Sequence, residues 1–154
     1  MSFSQDYSLY FDGDDRVNIG HHSEFVNPNL SIQVDFKISS FDIDIGTFVV
    51  KADCNTDACE SFSLYNTGGI LYYIIFTPQG YSNHDCISDG PVVELDTWYN
   101  LAVTNDINST KMYLDGVLIV DVEGSPDMNH AESDVLFGRN FSGYLDNIHI
   151  YNRA

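Results

Sequence analysis

The feature that most constrains this chain is a hydrophobic period of two, recurring in short bursts and never giving way to a helical one. Ile32, Val34, Phe36 and Ile38 alternate with Gln33, Asp35 and Lys37, which places the apolar side chains on one face of a strand. Similar runs are Ser8 to Phe11, Arg16 to Ile19, Gly46 to Lys51, Phe62 to Tyr65, Trp98 to Thr104, Val135 to Phe137 and Phe141 to Tyr151. Clusters of Gly, Asn, Asp and Pro separate them. The dipeptide Asp115-Gly116 joins Lys111 to Leu114 with Val117 to Val122, the pairing a tight type I′ turn prefers. Some ten to twelve strands without helices predict one all-β domain over residues 1–154, a two-sheet antiparallel sandwich or a barrel. The segment from Pro78 to Val92 reads as a long polar loop.

Composition supports a real core and narrows the partners. Apolar residues make up 44% of the 154, and Tyr and Phe number ten each, which favours strands. No stretch reaches the length a membrane helix needs, and Met1 to Asp6 lacks a signal peptide's basic and apolar regions. A removed leader, a longer parent chain or a virion part would each account for that start. Acids number 23 against six Lys and Arg, a formal net charge of −17. Such a field repels phosphate backbones and anionic lipid, so nucleic acid and membrane insertion are not expected. Three cysteines, Cys54, Cys59 and Cys86, are too few for a four-thiolate zinc site. Cys54–Cys59, Cys59–Cys86 or three free thiols all stay open.

Four local patterns, in order, resemble the laminin G-like, concanavalin A-like jelly-roll family. They are Ser8-Leu9-Tyr10-Phe11-Asp12-Gly13 with Asp15 and Val17, Trp98 to Thr104, Met112-Tyr113-Leu114-Asp115-Gly116, and Leu136-Phe137-Gly138 through Gly143-Tyr144-Leu145-Asp146 to Ala154. The resemblance implies a jelly-roll sandwich and an extracellular or surface role in binding glycans or proteins. It also implies a structural calcium where the first turn meets the last strand, with Asp12 and Asp146 as ligands and Asp14 or Asp15 adding a carboxylate. By the same resemblance Trp98 packs in the core.

The residues themselves offer further candidates. Leu145 should face inward, yet Ile148 and Ile150 have the opposite parity, so a bulge is expected near Asp146-Asn147. The run Gly69 to Thr77 is apolar on both faces, with Ile70, Tyr72, Ile74 and Phe76 on one and Leu71, Tyr73 and Ile75 on the other. Its non-core face must meet something. An aromatic platform with hydroxyl-binding partners suits a sugar. The candidate glycan ligands are therefore Tyr72 and Tyr73, with Tyr81, Asn83, His84 and Asp85 from the following loop. The alternatives are burial of that face and a contact with neighbouring proteins or with copies of the chain.

Catalysis has little to stand on. The nearest approach to a glycosidase carboxylate pair is Asp42 with Asp44, in a loop-like segment without a third acid, and Glu94 with Asp96 precede Trp98, where the resemblance implies a plain turn. No histidine pair has helical zinc spacing, and Asp53, Asp57 and Glu60 read as a solvated acidic loop. The expected function is a non-catalytic recognition module for a glycan or surface polysaccharide. An assembly module touching protein is the main rival, and a small glycan-active enzyme the more distant one.

Overall fold

A computed structural model describes residues 7–25, 29–52, 60–77, 80–87, 91–124, 127–129 and 132–154, with the side chains of 60, 77 and 80–87 excepted. Among the described residues there are twelve strands: β1 (Leu9–Asp12), β2 (Val17–His21), β3 (Leu30–Ile38), β4 (Gly46–Ala52), β5 (Glu60–Thr67) and β6 (Ile70–Thr77) come first. They are followed by β7 (Gly80–Ile87), β8 (Trp98–Asn105), β9 (Ser109–Leu114), β10 (Val117–Glu123), β11 (Asp134–Phe137) and β12 (Ser142–Tyr151). One short 3-10 turn, Ser23–Phe25, interrupts them. Among the described residues no helix is long and apolar enough to cross a membrane.

The strands form two six-stranded antiparallel sheets, β1-β12-β3-β8-β9-β10 and β2-β11-β4-β5-β6-β7. This is the jelly-roll sandwich expected. One correction concerns β7, which occupies part of the segment read as a polar loop. Its residues Gly80 to Ile87 pair with β6, so the backbone ladder overrode a sequence short of β-formers.

Strand parity builds the core. In β3 every second residue from Leu30 to Ile38 is buried, and these meet Leu101 and Val103 of β8, Met112 and Leu114 of β9 and Leu145 of β12. The facing sheet contributes Phe48, Val49, Phe62, Leu64, Leu71, Tyr73 and Ile75. Phe48 lies between Phe36, at 4.6 Å, and Phe141, at 5.3 Å between ring centroids, so aromatic contacts tie the two sheets together.

Two local expectations hold. Asp115 and Gly116 have φ of 50° and 76°, the paired positive values a type I′ turn needs. In β12 the register slips between Asp146 and His149, with Asn147 at φ 46°. That bulge returns Ile148 and Ile150 to the core side after Leu145.

Lys51 is the unexpected occupant of the interior. Its ammonium donates to the Ser133 carbonyl at 2.5 Å and lies 3.3 Å from His21 Nδ1. Burial lowers its pKa, opposed by the charges of Asp134 and Glu24.

Candidate binding faces

The doubly apolar strand β6 puts Leu71, Tyr73 and Ile75 in the core and turns Tyr72 and Ile74 outward, half-buried. Tyr73 is therefore not a ligand residue, a correction that follows from parity: its ring lies wholly between the sheets. Burial pushes its phenol pKa upward. Tyr72 does lie on the outer face, where its ring stacks on Tyr65 of β5 at 5.1 Å and an interplanar angle of 9°. Tyr81, Asn83, His84 and Asp85 fall on β7, and their side chains lie outside the described residues, as do Cys54, Cys59 and the Cys86 side chain.

Beside the Tyr65–Tyr72 stack lies a pocket of ≈ 250 Å³, lined by Ile45, Thr47, Val50, Ser63, Tyr65, Ile74, Phe76, Arg139 and Asn140. Register explains the convergence, because Thr47 pairs with Tyr65 and Ser63 with both Val50 and Ile74. Arg139 arrives from the turn after β11, pinned where Thr47 N–H donates to its carbonyl at 3.0 Å. Asn140 follows at φ 52°. Among the described residues no carboxylate lies within ion-pair distance of the half-buried Arg139. The pocket therefore offers a ring wall, two hydroxyls, an amide and a guanidinium, and no lining residue is acidic. Arg139 and Tyr65 were missed from sequence. The available signals were the alternation Ser63-x-Tyr65 against Phe62 and Leu64, and the scarcity of basic residues.

The first sheet's outer face is different. Trp98 lies on this face, 44% exposed, and not in the core as the resemblance implied. It opens β8 opposite Lys37, an outward position of β3; its neighbour Tyr99 turns inward to stack on Phe36. In the adjoining row Asp35 accepts hydrogen bonds from Asn100 Nδ2 at 2.6 Å and Asn147 Nδ2 at 2.7 Å.

The calcium candidates do not converge as expected. Asp12 pairs with Ser142, four positions before Asp146 on β12, an offset of about 13 Å at strand rise. Asp146 instead pairs with Asp35, and Asp12 and Asp146 cannot share an ion. What does gather is Asp12, Asp14 and Asp15, with one carboxylate oxygen of each mutually within 4.8 Å. The Asp14 carboxyl is raised by its hydrogen bond to Asp12 and by the Asp12 and Asp15 charges, while Asp12 is lowered chiefly by the hydrogen bond from Asp14.

The glycosidase-like pairs stay in turns. Asp42 accepts from Ser40 Oγ at 2.8 Å, and Asp96 sits at φ 55°, its N–H donating to Ile38 O. His21 is part of the Lys51 cluster, His22 lies 3.0 Å from Glu24 and His149 stacks on Tyr151. Asp53, Asp57 and the Glu60 side chain lie outside the described residues.

Comparison with known proteins places this architecture. No curated protein matches the sequence. Among solved structures, the CBM40 of Ruminococcus gnavus IT-sialidase bound to α2,3-sialyllactose superposes with a TM-score of 0.77 at 14% identity. That match covers 97% of this chain and 91% of the other. Mouse laminin α1 domains LG4-5 match with a TM-score of 0.72 at 13% identity, over 96% of this chain and 43% of theirs. The botulinum neurotoxin serotype D ligand-binding domain in complex with N-acetylneuraminic acid gives 0.66 at 15% identity, over 83% and 34%. At these identities the likeness is one of fold. A family model described as the concanavalin A-like lectin/glucanases superfamily, of the laminin G type, matches residues 11–154, and the chain belongs to that family.

Proposed function

We propose that this protein is a non-catalytic extracellular recognition module that binds a glycan on the outer face of its second sheet. The observation carrying this reading is the Arg139 guanidinium. In a chain with 23 acids it meets no carboxylate among the described residues, yet it lines a pocket walled by the Tyr65 ring. A sugar presents an apolar ring face to such a wall and hydroxyls or a carboxylate to the guanidinium, Ser63, Thr47 and Asn140. Structural relatives described with sialyllactose and N-acetylneuraminic acid support a glycan as the ligand. The lining holds no pair of carboxylates to serve as acid and nucleophile, which favours binding over hydrolysis.

Calcium belongs to this reading as a stabiliser of the first turn. Asp12, Asp14 and Asp15 supply the hard oxygens it takes, and a cation would offset the mutual repulsion of their gathered charges. The test is a glycan array run with calcium and repeated with a chelator. Tyr65→Ala and Arg139→Ala should each weaken binding of the glycan found by about tenfold or more, with the fold retained by circular dichroism. A protein that binds no glycan in either condition defeats the reading. Assembly is the second reading, favoured by β10, an edge strand with Val117, Leu118 and Val122 exposed. Concentration-dependent association in light scattering, lost on Leu118→Lys, would support it.

A further inference from the structure

The outer face of the first sheet carries a second concavity, on the opposite side of the sandwich from the Arg139 pocket. Register sets Tyr10, Tyr144, Lys37 and Trp98 in one row across β1, β12, β3 and β8. The rings of Tyr10 and Tyr144 are 5.0 Å apart and those of Tyr144 and Trp98 6.3 Å. This aromatic wall is left in the open, with Tyr10 56% and Trp98 44% exposed. The chain itself shows what the wall attracts. Lys37 Nζ lies 4.3 Å from the Tyr144 ring centroid and 5.5 Å from that of Trp98, held by ring faces, with no carboxylate in ion-pair distance among the described residues.

Against the wall opens a pocket of ≈ 330 Å³, lined by Asp35, Trp98, Tyr99, Asn100, Asp115 and Asp146. No lining residue is basic. Asp35 has both oxygens engaged by asparagine amides. Asp146 and Asp115 each accept one backbone N–H through Oδ1, from Asn147 and Asn100. Their Oδ2 atoms have no partner among the described residues. An ionised carboxylate only accepts, so whatever faces these atoms must donate. Among the described acids, the one set whose oxygens gather within 4.8 Å is Asp12, Asp14 and Asp15. The carboxylates of this pocket form no such set of three. They suit donors distributed over a ring.

We propose that this pocket is a second binding site, for an amino sugar carrying a free ammonium group. The sugar ring lies against Trp98, and its ammonium and hydroxyls meet Asp146 and Asp115. The site is independent of the glycan pocket proposed above, since the two share no residue.

The test is isothermal titration calorimetry of the whole chain at physiological salt. The probes are the β-1,4-linked tetramer of glucosamine, its N-acetylated counterpart and tri-lysine. Because any polycation is drawn to a −17 protein, Asp127→Asn, at an exposed residue outside the pocket, serves as the charge-matched control for Asp146→Asn. The free-amine tetramer should bind about tenfold or more tightly than the acetylated one. Trp98→Ala and Asp146→Asn should each weaken it by about fivefold or more, as losing a cation–π or charge-assisted contact does. Asp127→Asn should leave it unchanged, and Arg139→Ala, which removes a positive charge, should not weaken it. Equal binding of the acetylated tetramer, equal loss with Asp127→Asn, equally tight tri-lysine or no binding of the amine overturns the proposal. Loss with Arg139→Ala in place of Trp98→Ala would also overturn it while leaving the other pocket standing.

Discussion

Replacing Tyr73 with phenylalanine should make this protein more stable. The Tyr73 ring is fully buried between the sheets, and its hydroxyl has no hydrogen-bond partner among the described residues. A buried hydroxyl stripped of water and left unpaired costs about 1–3 kcal/mol. Tyr73→Phe keeps the ring among Leu64, Leu71 and Ile75 and removes one oxygen, so the added void is small. For a domain of this size each kcal/mol moves Tm by about 2–4 °C, giving an expected rise of about 2–12 °C. A second readout comes from pH. Burial raises the Tyr73 phenol, so its folded pKa exceeds the unfolded value. The contribution from this group is fully present below about pH 10 and is lost as pH rises through the folded pKa. The phenylalanine variant should lack that part of the alkaline loss. Urea unfolding followed by circular dichroism, at neutral pH and in the alkaline range, measures both. A variant less stable than the parent by more than about 1 kcal/mol would show that the hydroxyl has a partner and refute the reasoning. Loss of glycan binding with the fold intact would refute the assignment of Tyr73 to the core.

Two further outcomes follow from the turns and the register. Gly143 sits at φ 149°, where a Cβ would come within 2.1 Å of the Lys37 carbonyl oxygen. Gly143→Ala should therefore destabilise by about 2–5 kcal/mol, combining backbone strain with overpacking, and a urea midpoint unchanged from the parent would contradict the β12–β3 register. Calcium should raise Tm by mass action, and Asp12→Ala should abolish the shift while Asp146→Ala preserves it. Because the hydrogen bond to Asp12 and the Asp12 and Asp15 charges raise the Asp14 carboxyl, protons compete with the ion there, and the shift should weaken as pH falls through the carboxylate range. An equal shift in Asp12→Ala, read by scanning fluorimetry, would remove calcium from this turn.

The fold was legible because period-two burial is local. Ile32 to Ile38 state their own face, Asp115-Gly116 states its turn, and the broken parity from Leu145 to Ile148 states a bulge. The binding faces were less legible because they depend on which strands become neighbours. Tyr72 and Tyr73 are equivalent in sequence, and only packing of the second sheet sends one inward. Thr47, Ser63 and Arg139 are distant in the chain and meet through the β4–β5 ladder and the turn after β11. The expected meeting of Asp12 with Asp146 failed for the same reason. A first turn and a last strand that pair were expected to meet at Asp146, but the register aligns Asp12 with Ser142. Trp98 was misplaced by the resemblance; its pairing with outward-facing Lys37 decides the matter.

The fates of the six basic residues lead to a last prediction. Lys111 approaches Asp121 at 4.0 Å. Lys51 is buried on a carbonyl, Lys37 lies over Tyr144 and Trp98, Arg153 lies over Tyr151, Arg139 lines a pocket and Arg16 is exposed. Among the described residues Lys111–Asp121 is thus the one ion pair made by a lysine or arginine side chain. Exposed pairs of that kind contribute little, so salt has almost no attraction to screen away. The opposite term is large, because a net charge of −17 repels itself throughout the folded state. Raising ionic strength from 0.01 to 0.15 M shortens the screening length from about 30 to about 8 Å. Tm should therefore rise with sodium chloride across that range, in Asp12→Ala as in the parent. Calcium should add its own increment only in proteins that retain Asp12, at matched ionic strength. A Tm that falls with sodium chloride would mean that attractive charge pairs hold this fold, against the placement of its basic side chains.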